Sequence, residues 1–270
     1  MLNNISFFDS LTHIKEDESW YQTDKVASFT RLQEYHKKGY INKAIIAAMP
    51  DDDYEYIGST VNKELPFCSL VFSLRKEWLK LSDCEVKRNL ETLKKKYGAI
   101  GIKIHPRFSD VDIQNPELIR IAKIAALTGL IVYVCTILRK PVGPVSHTIH
   151  YHIARLCDEC PNTKFVFLHG GYTDLFSTGE IIRDYPNALL DLSFTFMRFR
   201  KSSLALDVGY LFESLDRKLT IGTDYPEYTP LELKEAVNKY ILTRDDLNLT
   251  KEKLENIFFN NLNDLVSFYE

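Results

Sequence analysis

KFVFLHGGY, at residues 164–172, joins an almost entirely apolar segment to a histidine and two glycines. A strand that is apolar on both faces is typical of a buried parallel sheet, which helices cover on each side. His169 then stands at the carboxyl end of that strand, where α/β proteins place their ligand chemistry. Taken alone, His169 is equally consistent with a core histidine bonded to a carbonyl group. Whether His169 is functional or structural therefore has to be judged from the residues that follow the other strands.

The same pattern recurs along the chain, as eight short apolar segments separated by helical ones. The predicted strands are Ile5–Asp9, Ile41–Met49, Phe67–Ser73, Ile100–His105, Leu130–Thr136, the segment that ends at His169, Ala188–Ser193 and Lys218–Gly222. Strands alternating with helices predict an α/β protein with a parallel sheet, and eight repeats predict a single (β/α)8 barrel domain over residues 1–270. An open doubly wound sheet is the alternative, although no glycine-rich nucleotide-binding turn supports it.

The composition is that of an ordinary soluble protein, with 45% hydrophobic and 26% charged residues among 270. A net charge of −3 gives no electrostatic reason to expect nucleic acid or an anionic membrane as partner. The first residues, MLNNISFFDS, lack the basic and apolar regions of a signal peptide. Cys157 and Cys160 have no second pair to complete a zinc site and are expected to be structural thiols. We therefore expect a cytoplasmic protein that binds a small molecule, and a homodimer stays open.

Polar residues follow five of the predicted strands, where a barrel would bring them to one mouth. They are His13, Lys103 with His105, Cys135, His169 and Asp224. Histidine, carboxylate and thiolate are all zinc ligands. Strand alternation also places Asp9, Leu11 and His13 on one face. The acidic segment DDDYEY at 51–56 is expected to be a surface loop.

Three segments carry a family resemblance: GIKIHP, FVFLHGG with the following YPNALLDLS, and GTDYP. They resemble the amidohydrolase superfamily, specifically the amidohydrolase-related group that includes metal-dependent decarboxylases and lactonases. The similarity runs from the first strand to FFNNLNDLV near the end of the chain. It implies a distorted (β/α)8 barrel with one or two divalent metals at its mouth.

Two positions depart from the pattern of that family. The first strand of the family ends in His-x-His, and here Leu11 replaces the first histidine. The fifth strand of the family supplies a histidine, and here the position is Cys135. The resemblance therefore implies at most one divalent metal, zinc, held by His13, Cys135, His169 and Asp224. The family also includes lactone hydrolysis without a metal, which remains the alternative.

The resemblance implies a hydrolase of a small anionic lactone, ester or amide. Asp224 would take a proton from water, and His169 would polarise the carbonyl group. Contacts to the anionic substrate are expected from Lys103, His105 and Arg198.

Other basic residues near the mouth are candidates for substrate contact, each with a solvated helix start as its alternative. They are Arg139, His147 and Arg200, while the spacing of His147 and His150 is only a weak metal-binding signal without a third ligand. Two further functions stay open: decarboxylation of an aromatic or unsaturated acid, and a catalytically inactive barrel that serves as a binding subunit.

Overall fold

The structure is a computed structural model that describes residues 2–137 and 149–269. Within these ranges eight strands follow one another: β1 (Phe8–Thr12), β2 (Lys43–Ala48), β3 (Cys68–Ser73), β4 (Ala99–Ile104), β5 (Ile131–Cys135), β6 (Phe165–Leu168), β7 (Ala188–Asp191) and β8 (Leu219–Thr220). Each strand pairs in parallel with the next. A bridge between Thr12 and Tyr225 joins the two ends of the sheet. The predicted (β/α)8 barrel is confirmed.

Helices connect the strands. In the described ranges the α-helices are α1 (Phe29–Lys37), α2 (Tyr54–Glu64), α3 (Asp83–Tyr97), α4 (Pro106–Ser109), α5 (Glu117–Leu127), α6 (Ile149–Glu159), α7 (Leu175–Arg183), α8 (Thr195–Phe199), α9 (Leu204–Ser214), α10 (Pro230–Tyr240), α11 (Lys251–Glu255) and α12 (Asn261–Ser267). Short 3-10 segments lie at Leu2–Asn4, Lys76–Lys80, His169–Asp174 and Asp216–Lys218, and a π-helical turn lies at Asn256–Asn260. None of these helices has the length and apolar content needed to cross a membrane.

The acidic segment after β2 is only partly a loop, so that prediction was wrong. Asp53 caps α2, because its carboxylate accepts hydrogen bonds from the backbone N–H groups of Glu55 (2.8 Å) and Tyr56 (3.4 Å). A capping aspartate satisfies N–H groups that the first helical turn leaves without partners. The helix that follows buries Ile57 and Val61 against the sheet.

Alternating side chains of the strands form two separate apolar layers. Ala44, Ile46 and Ala48 of β2 face the helices, whereas Ile45 and Ala47 face the interior of the barrel. The interior cluster is completed by Phe8, Leu11, Val71, Ile100, Ile131, Tyr133, Val166 and Leu168, with Leu262 and Val266 of α12 packed against it.

Strand β1 does not follow simple alternation. Phe8 and Leu11 are three residues apart, yet both belong to the interior cluster. The pairing of β1 with β2 shifts register between Asp9 and Thr12, and such an irregularity moves later side chains to the other face. The strand also begins three residues later than predicted and runs through Thr12, which brings His13 to the mouth.

Candidate active site

A cavity of about 210 Å³ opens at the carboxyl ends of the strands. It is lined by His13, Trp20, Tyr21, Met49, Lys103, His105, Arg107, Phe108, Ile137, His169, Phe194, Asp224 and Glu227. Five of the residues predicted from strand ends are therefore neighbours: His13, Lys103, His105, His169 and Asp224. A larger depression of about 400 Å³ lies beside it, among Lys15, Tyr21 and acidic residues of the β2–α2 segment.

His13 and Asp224 form a contact pair across the junction of the first and last strands. The Nε2 atom of His13 lies 3.3 Å from Oδ1 of Asp224, and its Nδ1 lies 2.6 Å from the carbonyl oxygen of Ala47. A carbonyl oxygen only accepts hydrogen bonds, so Nδ1 carries a proton and Nε2 is left for Asp224. The ring of Trp20 stacks on His13 at 5.0 Å between centroids, which fixes the imidazole plane.

The pKa values of both groups are lowered. Burial lowers the pKa of His13, and the charge of Lys103 lowers it further against the opposing contact with Asp224. Burial alone would raise the pKa of Asp224. The contact with His13 and the positive charge of Lys103 outweigh burial, so the pKa of Asp224 lies below its ordinary value. At neutral pH the pair therefore holds a carboxylate beside a neutral imidazole.

His169 is held by the residues that follow β7. Its Nδ1 lies 3.2 Å from the carbonyl oxygen of Ser193, and its backbone N–H donates to Asp191 at 3.4 Å. The hydroxyl of Ser193 donates to Asp191, so the Nδ1 proton of His169 points to the Ser193 carbonyl and Nε2 remains without a proton. Burial lowers the pKa of His169 to about 4.

The backbone is unusual at both key residues. His169 has φ 69° and Asp224 has φ 54°, in the left-handed region that side chains other than glycine seldom adopt. Phe194, which also lines the cavity, has φ 61°. Such conformations cost on the order of 1–3 kcal/mol each and gather at functional sites.

Lys103 projects from β4 into the cavity and is only 1% exposed. The Nζ atom of Lys103 lies 4.0 Å from the thioether sulfur of Met49. Two residues further on, His105 accepts a weak hydrogen bond from the backbone N–H of Phe108 (3.5 Å). Burial and the charge of Lys103 hold the pKa of His105 well below its ordinary value.

Aromatic residues that the sequence did not single out form one side of the mouth. Trp20 packs edge-on against Tyr21, and Tyr21 stacks on Phe108 at 4.7 Å between centroids. Trp20 also donates its indole N–H to Glu227 at 2.8 Å. Tyr21 follows β1 and Phe108 follows β4, so their stacking joins the segments after these two strands across the mouth.

Three of the predicted site residues lie elsewhere. Cys135 packs with Ile137 and Phe194 and does not line the cavity, and burial raises the pKa of its thiol. Arg198 is exposed beside the rings of Phe194 and Phe199 and does not line the cavity either. His150 lies in the first turn of α6. The candidates Arg139 and His147 fall outside the described residues.

Arg107 was not among the predicted site residues, but it lines the cavity. It follows β4 by three residues and lines the cavity beside Phe108. The signal was present in the sequence, because HPRF directly follows the strand that carries Lys103.

The donor chemistry of the mouth suits a divalent metal, but the arrangement is incomplete. In the parts of the chain that the structure describes, no three or more His, Cys, Asp or Glu side chains form a group that could hold a metal ion. Leu11, an interior apolar residue, occupies the position of the first family histidine. His13, His169 and Asp224 therefore remain as possible donors at the mouth, without the first histidine of the family pattern.

Comparison with known proteins gives the same picture of the fold. A family model described as amidohydrolase matches residues 78–261. The chain belongs to this amidohydrolase family. No curated protein matches the chain in sequence.

Solved structures with the same fold are distant in sequence. A probable 2-pyrone-4,6-dicarboxylic acid hydrolase from Acinetobacter baumannii is 11% identical with a TM-score of 0.67, over 98% of this chain and 100% of that one. The 5-carboxyvanillate decarboxylase of Sphingomonas paucimobilis is 11% identical with a TM-score of 0.68, over 98% and 99%. A zinc-bound amidohydrolase from Burkholderia multivorans is 11% identical with a TM-score of 0.66, over 97% and 99%.

Proposed function

We propose that the protein hydrolyses a small anionic lactone, ester or amide, with Asp224 as the base that activates water. The observation that carries the proposal is the contact between His13 Nε2 and Asp224 Oδ1 at 3.3 Å. Neither atom holds a proton at neutral pH, because both pKa values are lowered. The pair therefore has room for one proton, and that is the proton an attacking water must lose.

The rest of the cavity supplies the other parts of such a reaction. As water adds to the carbonyl carbon, negative charge grows on the carbonyl oxygen, and an ammonium at Lys103 would stabilise it. The proton held between His13 and Asp224 then passes to the leaving oxygen or nitrogen as the tetrahedral intermediate collapses. Arg107 lines the cavity and is suited to bind a carboxylate of the substrate.

His169 is given a different role from the one expected from the sequence. With its proton directed at the carbonyl of Ser193, its Nε2 is an acceptor and cannot donate to a substrate carbonyl while the ring is neutral. The pKa of about 4 keeps it neutral at physiological pH. We assign His169 to accept a hydrogen bond from the attacking water or from a substrate hydroxyl.

A single divalent metal, zinc, stays a prediction of the family resemblance and of the zinc-bound relative. His13, His169 and Asp224 are the side chains that would hold it, and a bound divalent ion would polarise the substrate carbonyl. Elemental analysis of the purified protein tests this. We expect at most one ion per chain, and two stoichiometric ions would contradict the prediction.

The decisive experiment is a substrate screen followed by Asp224→Asn. The asparagine keeps size and polarity but cannot take a proton from water, so we expect kcat to fall by about 10²–10⁴-fold with folding intact. Asp245→Asn is the matched control. It changes an exposed carboxylate that does not line the cavity, so it should leave kcat unchanged.

Other outcomes of the screen have definite meanings. Hydrolysis that survives in Asp224→Asn would remove Asp224 from the mechanism. Release of carbon dioxide from an aromatic or unsaturated acid would favour decarboxylation, the activity named for one structural relative. A wild-type protein that binds such acids but converts none would point to a binding subunit.

A further inference from the structure

Lys103 differs from the other lysines around the mouth. Lys15 pairs with Asp51 at 3.0 Å and with Asp52 at 2.7 Å, and Lys25 pairs with Glu227 at 3.1 Å. Among residues 2–137 and 149–269, no carboxylate comes within ion-pairing distance of Lys103. Lys103 is therefore the most buried lysine at the mouth, and in the described ranges it has no carboxylate within ion-pairing distance.

An ammonium that is buried without a carboxylate in direct contact is costly. Removing a charged group from water without pairing it is far less favourable than burying the neutral form. Burial accordingly lowers the pKa of Lys103 below its ordinary value. The neutral amine, unlike the ammonium, is a nucleophile, and desolvation is one of the ways in which proteins activate lysine.

We propose that the amine of Lys103 forms an imine with a small aldehyde or ketone that enters the cavity. The nitrogen attacks the carbonyl carbon, and the former carbonyl oxygen takes up a proton to give a carbinolamine. That oxygen then leaves as water while the carbon–nitrogen double bond forms. Nothing is oxidised or reduced, and the only product besides the imine is one water molecule.

The surroundings of Lys103 fit these proton transfers. His105 lies two residues further along the same strand and lines the same cavity, and its imidazole is neutral. Arg107 can hold the carboxylate of a keto acid, so that a carbonyl group beside that carboxylate reaches toward Lys103. Imine formation uses the neutral amine of Lys103, whereas the hydrolysis proposed above uses its ammonium.

Reductive trapping tests the proposal. The intact protein is incubated with pyruvate and sodium cyanoborohydride, and in a second arm with acetaldehyde in place of pyruvate. We expect one reduced adduct per chain, located by peptide mass spectrometry at Lys103. A lowered pKa makes the neutral form of a lysine more abundant, so Lys103 should react faster than any exposed lysine.

Matched variants sharpen the test. Lys103→Met keeps the length of the side chain without its amine and should lose the rapid adduct. Lys63→Met removes a lysine whose side chain is 82% exposed and should keep it. Because the adduct is mapped in the wild-type protein, the test does not depend on whether Lys103→Met folds. Adducts spread evenly over exposed lysines, or no adduct with either probe, would overturn the proposal. Neither result would bear on Asp224-dependent hydrolysis.

Discussion

The interior of the barrel has two ends of opposite character. Toward the amino ends of the strands it is filled by apolar side chains such as Phe8, Ile45 and Ile100, sealed by Leu262 and Val266. Toward the carboxyl ends it holds buried ionisable groups, and His169, Phe194 and Asp224 have strained backbone conformations there. The apolar end therefore stabilises the fold, and this stability offsets the unfavourable burial of charged groups at the carboxyl ends of the strands.

Among the variants that test this division between the two ends, Phe8→Ala is expected to have the largest effect. Phe8 is 1% exposed and packs within the interior cluster, so its loss should lower the free energy of unfolding by about 3–5 kcal/mol. Hydrolysis by the fraction that remains folded should be unchanged. Phe176→Ala, at a phenylalanine that is 47% exposed, is the control and should change stability by about 0.5 kcal/mol or less. Chemical denaturation measures both, and equal losses would contradict the division.

At the mouth, the variants Arg107→Gln and Arg198→Gln compare an arginine that lines the cavity with one that does not. Hydrogen bonds to a charged group contribute about 1.5–3 kcal/mol, so Arg107→Gln should raise KM by roughly 10–150-fold. Arg198→Gln should leave KM near the wild-type value, and stability should change little in either variant. A larger rise in KM for Arg198→Gln would restore the assignment made from the sequence.

The smallest expected effect lies where the two ends meet. The hydroxyl of Tyr133 is buried and has no hydrogen-bond partner in the described parts of the chain. Tyr133→Phe should therefore raise the free energy of unfolding by about 1 kcal/mol, since an unsatisfied polar group is removed. Tyr54→Phe should lower it by about the same amount, because the hydroxyl of Tyr54 donates to the carbonyl of Ser73. Thermal denaturation of the two variants gives the sign, and a destabilised Tyr133→Phe would indicate a hidden partner.

The barrel could be predicted from the sequence because apolar strands and helical segments alternate along the chain. The positions of His169 and Asp224 followed from the same pattern, since strand ends converge at one mouth. The failures have local causes. Arg198 and Arg107 both follow strands, and only the path of each loop decides which one reaches the cavity.

One further prediction failed, and one feature was missed, for reasons that spacing alone does not reveal. Alternation in β1 is broken by a register shift, which depends on the neighbouring strand rather than on β1 itself. The stacking of Tyr21 on Phe108 was not predicted, because the two residues lie far apart in the chain and follow different strands.

The contact between His13 and Asp224 also bears on how the protein is made. His13 follows the first strand, whereas Asp224 follows the last, and the two meet only at the narrow junction bridged by Thr12 and Tyr225. A ribosome therefore has to release the chain past Asp224 before this pair can assemble. Any activity that depends on the pair would be absent from every nascent chain that stops before Asp224.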